Sequence, residues 1–117
     1  MIKSGKQKAK ALRQLEQIRN ENNSAKNAEI QKLEEELEEY ENLKAGKIEL
    51  PEDITFLEII GYISKIRIAK GFSQKDLAGM LGITKQAINH HEKYNYYNLD
   101  IYQLNKLFQI FGIKFHL

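Results

Sequence analysis

The chain has no cysteine among its 117 residues. Disulfides and thiolate metal sites are therefore excluded, and a reducing compartment suits it. No apolar run approaches the ~20 residues that a bilayer crossing requires, and nothing at the start resembles a secretory signal, so the expected location is the cytoplasm, without a membrane partner. There is no phosphate-cradling glycine loop, no cysteine nucleophile and no serine-histidine-acid set in a usable order, so no enzymatic activity is expected. His90 and His91 are adjacent but His116 is distant, and no carboxylate at metal-ligand spacing accompanies them. A zinc site is not expected, nor any cofactor. The single proline, Pro51, falls in "KIELPED", Lys47 to Asp53, which reads as a linker.

What is present is unevenly distributed. The net charge of +2 conceals three blocks. From Met1 to Lys26 seven Lys/Arg face Glu16 and Glu21; from Asn27 to Glu41 only Lys32 opposes seven Glu; from Thr55 to Leu117 eight Lys/Arg face four acids. A basic C-terminal part can approach a polyanion, and an acidic segment lies between two basic ones. The Glu run at 34 to 39 reads as a solvated helix face. A chain of this size accommodates one small domain, or a unit of about 65 residues with an appendage.

The first segment, Lys6 to about Glu21, carries Leu12, Leu15 and Ile18 at spacings of three, a thin amphipathic stripe. "NENNSAKN", Asn20 to Asn27, favours turns. Ser24 is the expected N-cap of a second helix to about Leu43, with Ile30, Leu33, Leu37 and Tyr40 spaced as in a heptad seam. Extended backwards, that heptad meets Lys26, Asn23, Arg19 and Glu16, so a hairpin is preferred to one continuous coiled-coil helix. An antiparallel hairpin sets the basic helix beside the acidic one. Neither stripe is wide enough to stand alone, and sharing with a second chain is expected. Ile48 and Leu50 hint at a short strand, and "IKFHL", Ile113 to Leu117, alternates like a C-terminal strand.

Between them, helix starts repeat. Thr55 precedes Glu58 by three residues, Ser73 precedes Asp76, and Thr84 precedes Ala87, each flanked by staple pairs: Ile54 and Ile59, Phe72 and Leu77, Ile83 and Ile88. Asn98 is the expected fourth cap, with Tyr97 and Tyr102 as its staple. Gly71, Gly82 and Gly112 fall where helices must stop. The expected helices are Thr55–Lys70, Ser73–Leu81, Thr84–Lys93 and Asn98–Phe111. Leu57, Ile60, Ile63, Ile66 and Ile68 supply one buried face, and Leu77, Leu81, Ile83, Ile88, Leu104, Leu107 and Phe111 the others. Two short helices joined by "GI", with a small Ala78 at the crossing, predict a helix-turn-helix.

The stretch "GFSQKDLAGMLGITKQAINHHEKY", Gly71 to Tyr94, resembles the phage-repressor (Xre, or Cro/C1) class of helix-turn-helix domains. The matching residues are Gly71, Gln74, Leu77, Ala78, Leu81, Gly82, Ile83, Thr84, Ile88 and Glu92, then Leu104 and Gly112. "EEYENLKAGKIEL", Glu38 to Leu50, is similar to the helical leader of some Hig-type antitoxins. The resulting expectation is an all-α chain. Residues 1–46 form an N-terminal helical hairpin or coiled coil for oligomerisation or partner binding, 47–54 a linker, and 55–117 a DNA-binding bundle with a short C-terminal strand.

The resemblance implies that the helix Thr84–Lys93 enters the major groove with its N-terminal half against base edges. Lys85, Gln86, Asn89 and His90 share one face and are the candidate base readers: the amides suit adenine, the lysine guanine, and His90 either according to its tautomer. Gln74 is placed at the DNA backbone, with an anion site near Ser73, and Lys93 and Tyr94 lie within reach of phosphate. Arg67 and Glu92 match a structural ion pair, and His91 is expected half-buried against the last helix. The implied partners are double-stranded DNA with a palindromic operator and a second copy of the chain, in a dimeric repressor. The alternatives are an antitoxin that masks a toxin protein, or a helix-turn-helix scaffold for protein interaction.

Overall fold

The computed structural model describes residues 1–21 and 24–114, and among them every regular element is helical. The first helix, α1, spans Gly5–Asn20, with Ser4 as its N-cap, accepting from the Gln7 backbone N–H. A short 3-10 turn, Ser24–Lys26, leads into α2, Asn27–Lys44, so the second helix begins three residues beyond the expected cap. The two helices form an antiparallel hairpin. Lys8 pairs with Glu41, and Arg19 with Glu34, so basic and acidic helices lie side by side. The buried stripe of α1 is Ala11, Leu15 and Ile18, whereas Leu12 is exposed. Alanine is enough where two helices approach closely, and α1 turns its stripe accordingly. Tyr40 and Leu43 are the buried residues of α2, with Leu33 and Leu37 partly covered.

The hairpin does not stand apart. Its cluster of Ile2, Ala11, Tyr40 and Leu43 is completed by Ile68, which comes from the helix-turn-helix region. Ile48 packs against this cluster and also against the main core.

Five further helices follow: α3 Phe56–Gly61, α4 Ile63–Ala69, α5 Gln74–Leu81, α6 Lys85–Lys93 and α7 Ile101–Phe111. The expected single helix from Thr55 to Lys70 is two, broken at Tyr62, whose φ of −91° and ψ of −3° close a tighter turn. Gly61, just before the break, lies beneath the Tyr97 hydroxyl, which an added Cβ would meet at 3.4 Å. Glycine weakens the helix there and admits the close approach. The three expected starts at Thr55, Ser73 and Thr84 are all made, each side chain accepting from the backbone N–H three residues on. Ser73 and Asp76 complete a reciprocal capping box. Gly71, Gly82 and Gly112 take φ values of +81°, +71° and +69°, the left-handed geometry that ends a helix.

The fourth start is displaced. Asp100, not Asn98, caps α7, its Oδ1 accepting from Gln103 N at 2.8 Å. Asn95 and Tyr96 both adopt positive φ, 52° and 61°, which lengthens the loop by a turn. Leu99 and Leu104 then become the buried staple pair, while Tyr97 and Tyr102 are exposed. Leu57 is also on the surface, at 64% exposure, and does not join the core as expected. The core comprises Ile59, Ile60, Ile63, Ile66, Leu77, Ala78, Leu81, Ile88, Tyr96, Leu99, Leu104, Leu107, Phe108 and Phe111. No strand occurs at Ile48–Leu50, nor at Ile113 and Lys114; the rest of the expected C-terminal strand lies outside the described residues. No described helix is long and apolar enough to cross a membrane.

The displaced cap makes a direct test. Asp100→Ala is expected to cost about 1 kcal/mol in urea unfolding, and Asn98→Ala no more than about 0.5 kcal/mol. The reverse order would restore Asn98 as the cap.

Candidate nucleic-acid interface

The face of α6 is set by how its other side is held. Thr84 Oγ1 accepts from Ala87 N at 3.0 Å and starts the helix. Ile88 is completely buried and Glu92 is 1% exposed, so one stripe of α6 is fixed inward. The 3.6-residue period then turns Lys85, Gln86, Asn89, His90 and Lys93 outward, and all five are exposed. The ring of His90 lies 4.9 Å from that of Tyr94, one turn on, which limits its swing. Gln86 and Asn89 present donor and acceptor together, Lys85 and Lys93 only donors.

Glu92 is the hub of the inward side. Arg67 on α4 grips its carboxylate through Nε at 2.8 Å and through a terminal guanidinium nitrogen at 3.0 Å. Gln74 Nε2 donates to Oε1 at 2.9 Å, and the Tyr96 hydroxyl to Oε2 at 2.8 Å. Arg67 donates further to the carbonyls of Phe72, at 2.7 Å, and Lys3, at 2.8 Å. Lys3 Nζ in turn donates to the Glu92 carbonyl at 2.7 Å. Burial pushes the Glu92 carboxyl up, but Arg67, Gln74 and Tyr96 outweigh it and hold it below its ordinary value. The same burial, with Glu92 adjacent, pushes the Tyr96 phenol up, so it stays a donor.

This network changes the picture of Gln74. Its side chain is buried and turned to Glu92, so the amide is not presented at the surface. Ser73 is exposed beside it, and Thr84 and Tyr94 are exposed at the two ends of α6. His91 is half-buried, and its ring stacks with that of Tyr96 in the loop, 6.1 Å between centroids. Burial, and His90 next to it, hold the His91 imidazole below its usual value. Among the described residues no group of three His, Asp or Glu could hold a metal ion. Sequence reasoning missed Lys3 and Tyr96; a lysine before a capping serine and a tyrosine in a loop give no local sign of a distant carboxylate.

Glu92→Gln leaves Arg67 buried without its counter-charge and is expected to lower stability by about 3–5 kcal/mol. Because the folded carboxyl lies below its unfolded value, its stabilisation is complete above about pH 4.3 and drains as pH falls through the lower folded value. Urea midpoints between pH 6 and pH 2 should fall more steeply for the parent than for Glu92→Gln; parallel curves would deny the carboxylate its stabilising role.

Residues 63–117 match the family model described as Helix-turn-helix, a stretch that begins at α4 and includes α5, α6 and α7. Neither among curated proteins nor among solved structures does any match the chain. With α5 and α6 in contact, Ala78 buried, the αL turn at Gly82 between them and an open polar face on α6, residues 63–117 belong to the helix-turn-helix family of DNA-binding domains, of the Xre and Cro/C1-like kind.

Proposed function

We propose that the protein is a sequence-specific regulator that binds double-stranded DNA as a dimeric repressor, with α6 in the major groove. The observation that carries this is the row Lys85, Gln86, Asn89 and His90, exposed along a helix whose opposite stripe is held by Ile88 and the buried Arg67–Glu92 pair. A reading helix needs a wet polar face and a rigid back, because base-edge hydrogen bonds demand fixed donor and acceptor positions. Gln86 and Asn89 read adenine edges, Lys85 donates to guanine, and His90 adds a donor or an acceptor. Lys93, Tyr94, Ser73, Thr84 and the backbone at Gln74 approach phosphates. The unit 55–117 carries this contact, joined through 47–54 to the accessory hairpin 1–46.

One short helix touches few bases, so two copies on a palindromic site, with half-sites about 34 Å apart, supply the missing specificity. Exposed apolar side chains support the pairing. Leu57, Tyr97, Ile101 and Tyr102 are large apolar or aromatic side chains left exposed, at 64%, 56%, 70% and 84%. Leu57 shares the α3 face of Gly61, against which the Tyr97 hydroxyl rests.

On a sequence obtained by selection from random duplexes, Gln86→Ala is expected to relax preference at one base by about 1–3 kcal/mol. Lys93→Ala should weaken every sequence and reduce the salt slope by about 0.9. Equal losses for both on all sequences would remove the assignment of readers and phosphate contacts.

A further inference from the structure

We propose that α1 is a second DNA contact, whose cationic face holds the sugar-phosphate backbone of the duplex that α6 reads, one strand passing between the two helices. The proposal rests on the DNA-binding reading of α6 and adds to it a surface indifferent to sequence.

The spacing along α1 produces three faces. Ala11, Leu15 and Ile18 face inward. Lys8 and Arg19 pair with Glu41 and Glu34 of α2. Lys6, Lys10 and Arg13, separated by four and three residues, share the remaining face and are exposed. Among the described residues no carboxylate pairs with any of these three. The acidic helix therefore neutralises one basic edge of α1 and leaves the other free.

That free edge does not face open solvent at random. Lys6, Lys10 and Arg13 line one wall of an open groove of about 900 Å³, and Lys85, Gln86 and Asn89 of the reading helix line the other. Ser73, Gln74 and Lys75 at the start of α5 contribute to the same groove. Besides the neutralised Arg67, seven Lys/Arg side chains border it, against a single carboxylate, Asp76. Asp76 is already engaged, accepting from Ser73 N at 2.9 Å. Cations collected around one cleft repel one another, and a polyanion in the cleft relieves that repulsion.

The two walls are also tied together. Lys3, just before α1, accepts from Arg67 through its carbonyl and donates through Nζ to the Glu92 carbonyl of α6. The position of α1 relative to the reading helix is thus fixed by the buried pair itself, as a phosphate clamp requires. From Lys6 to Arg13 the helix rises about 10 Å, which matches about three phosphates of one strand at 3.4 Å of axial rise each.

The test uses the full chain and its selected duplex. Lys6→Gln, Lys10→Gln and Arg13→Gln are combined in one variant, and Lys32→Gln, Lys47→Gln and Lys106→Gln in a control of equal charge, with thermal unfolding of both recorded. Affinity is measured as a function of salt, and phosphates are mapped by ethylation interference. The α1 variant is expected to lose about two to three from the salt slope, weaken all sequences alike, keep its base preference, and lose interference at phosphates flanking those lost in Lys93→Ala. The control is expected to change the slope by less than about one. A slope and interference pattern equal to the parent's, or a loss no greater than the control's, would overturn the α1 contact while leaving α6 as reader. Absence of salt-dependent duplex binding by the parent would overturn both.

Discussion

A guanidinium and a carboxylate buried against each other set the arrangement of everything around them. Arg67 and Glu92 are 3% and 1% exposed and meet through two parallel hydrogen bonds. Such a pair adds little net stability over an apolar one, because both charges lose their water; its value is geometric. Each remaining carboxylate lone pair finds a donor and two further guanidinium N–H groups find acceptors, and every partner comes from a different element: α5 through Gln74, the loop after α6 through Tyr96, the turn before α5 through Phe72, and the segment before α1 through Lys3. Counting α4 and α6 themselves, six pieces of chain are aligned on one hub, and the outward face of α6 is its consequence.

The division of charge acquires a structural meaning from that alignment. The acidic α2 lies against one edge of α1 and answers Lys8 and Arg19. Its remaining basic edge is presented to the groove beside α6. An overall charge of +2 thus hides a surface that is cationic where α1 and α6 face each other and acidic on the far side of the hairpin. The Glu run at 34 to 39 supplies much of that acidity, and Glu34 of the run answers Arg19 of the basic helix.

Much of this was legible in the residues. Capping serine and threonine at Thr55, Ser73 and Thr84, with left-handed glycines at 71, 82 and 112, are local signals, and local signals survive folding intact. The outward face of α6 followed from the helix period once Ile88 was taken as core. What was not legible depended on distant partners. Asn98 makes as good a cap as Asp100 in isolation; the two left-handed residues Asn95 and Tyr96, stabilised by the Tyr96–Glu92 bond, decide between them. Leu57 and Leu12 fit their apolar stripes, yet face away because the kink at Tyr62 and the close α1–α2 contact rotate those stripes. Gln74 carries an amide that suits phosphate, but only the fold reveals that the amide is turned inward.

The measurement that bears most directly on α6 as the DNA-reading element is a titration of the isotopically labelled chain with its selected duplex, followed through backbone amide resonances. The largest changes are expected at Lys85, Gln86, Asn89 and His90, with a second set along Lys6 to Arg13. Changes confined to α2 or α7, with the α6 amides unmoved at saturation, would contradict it.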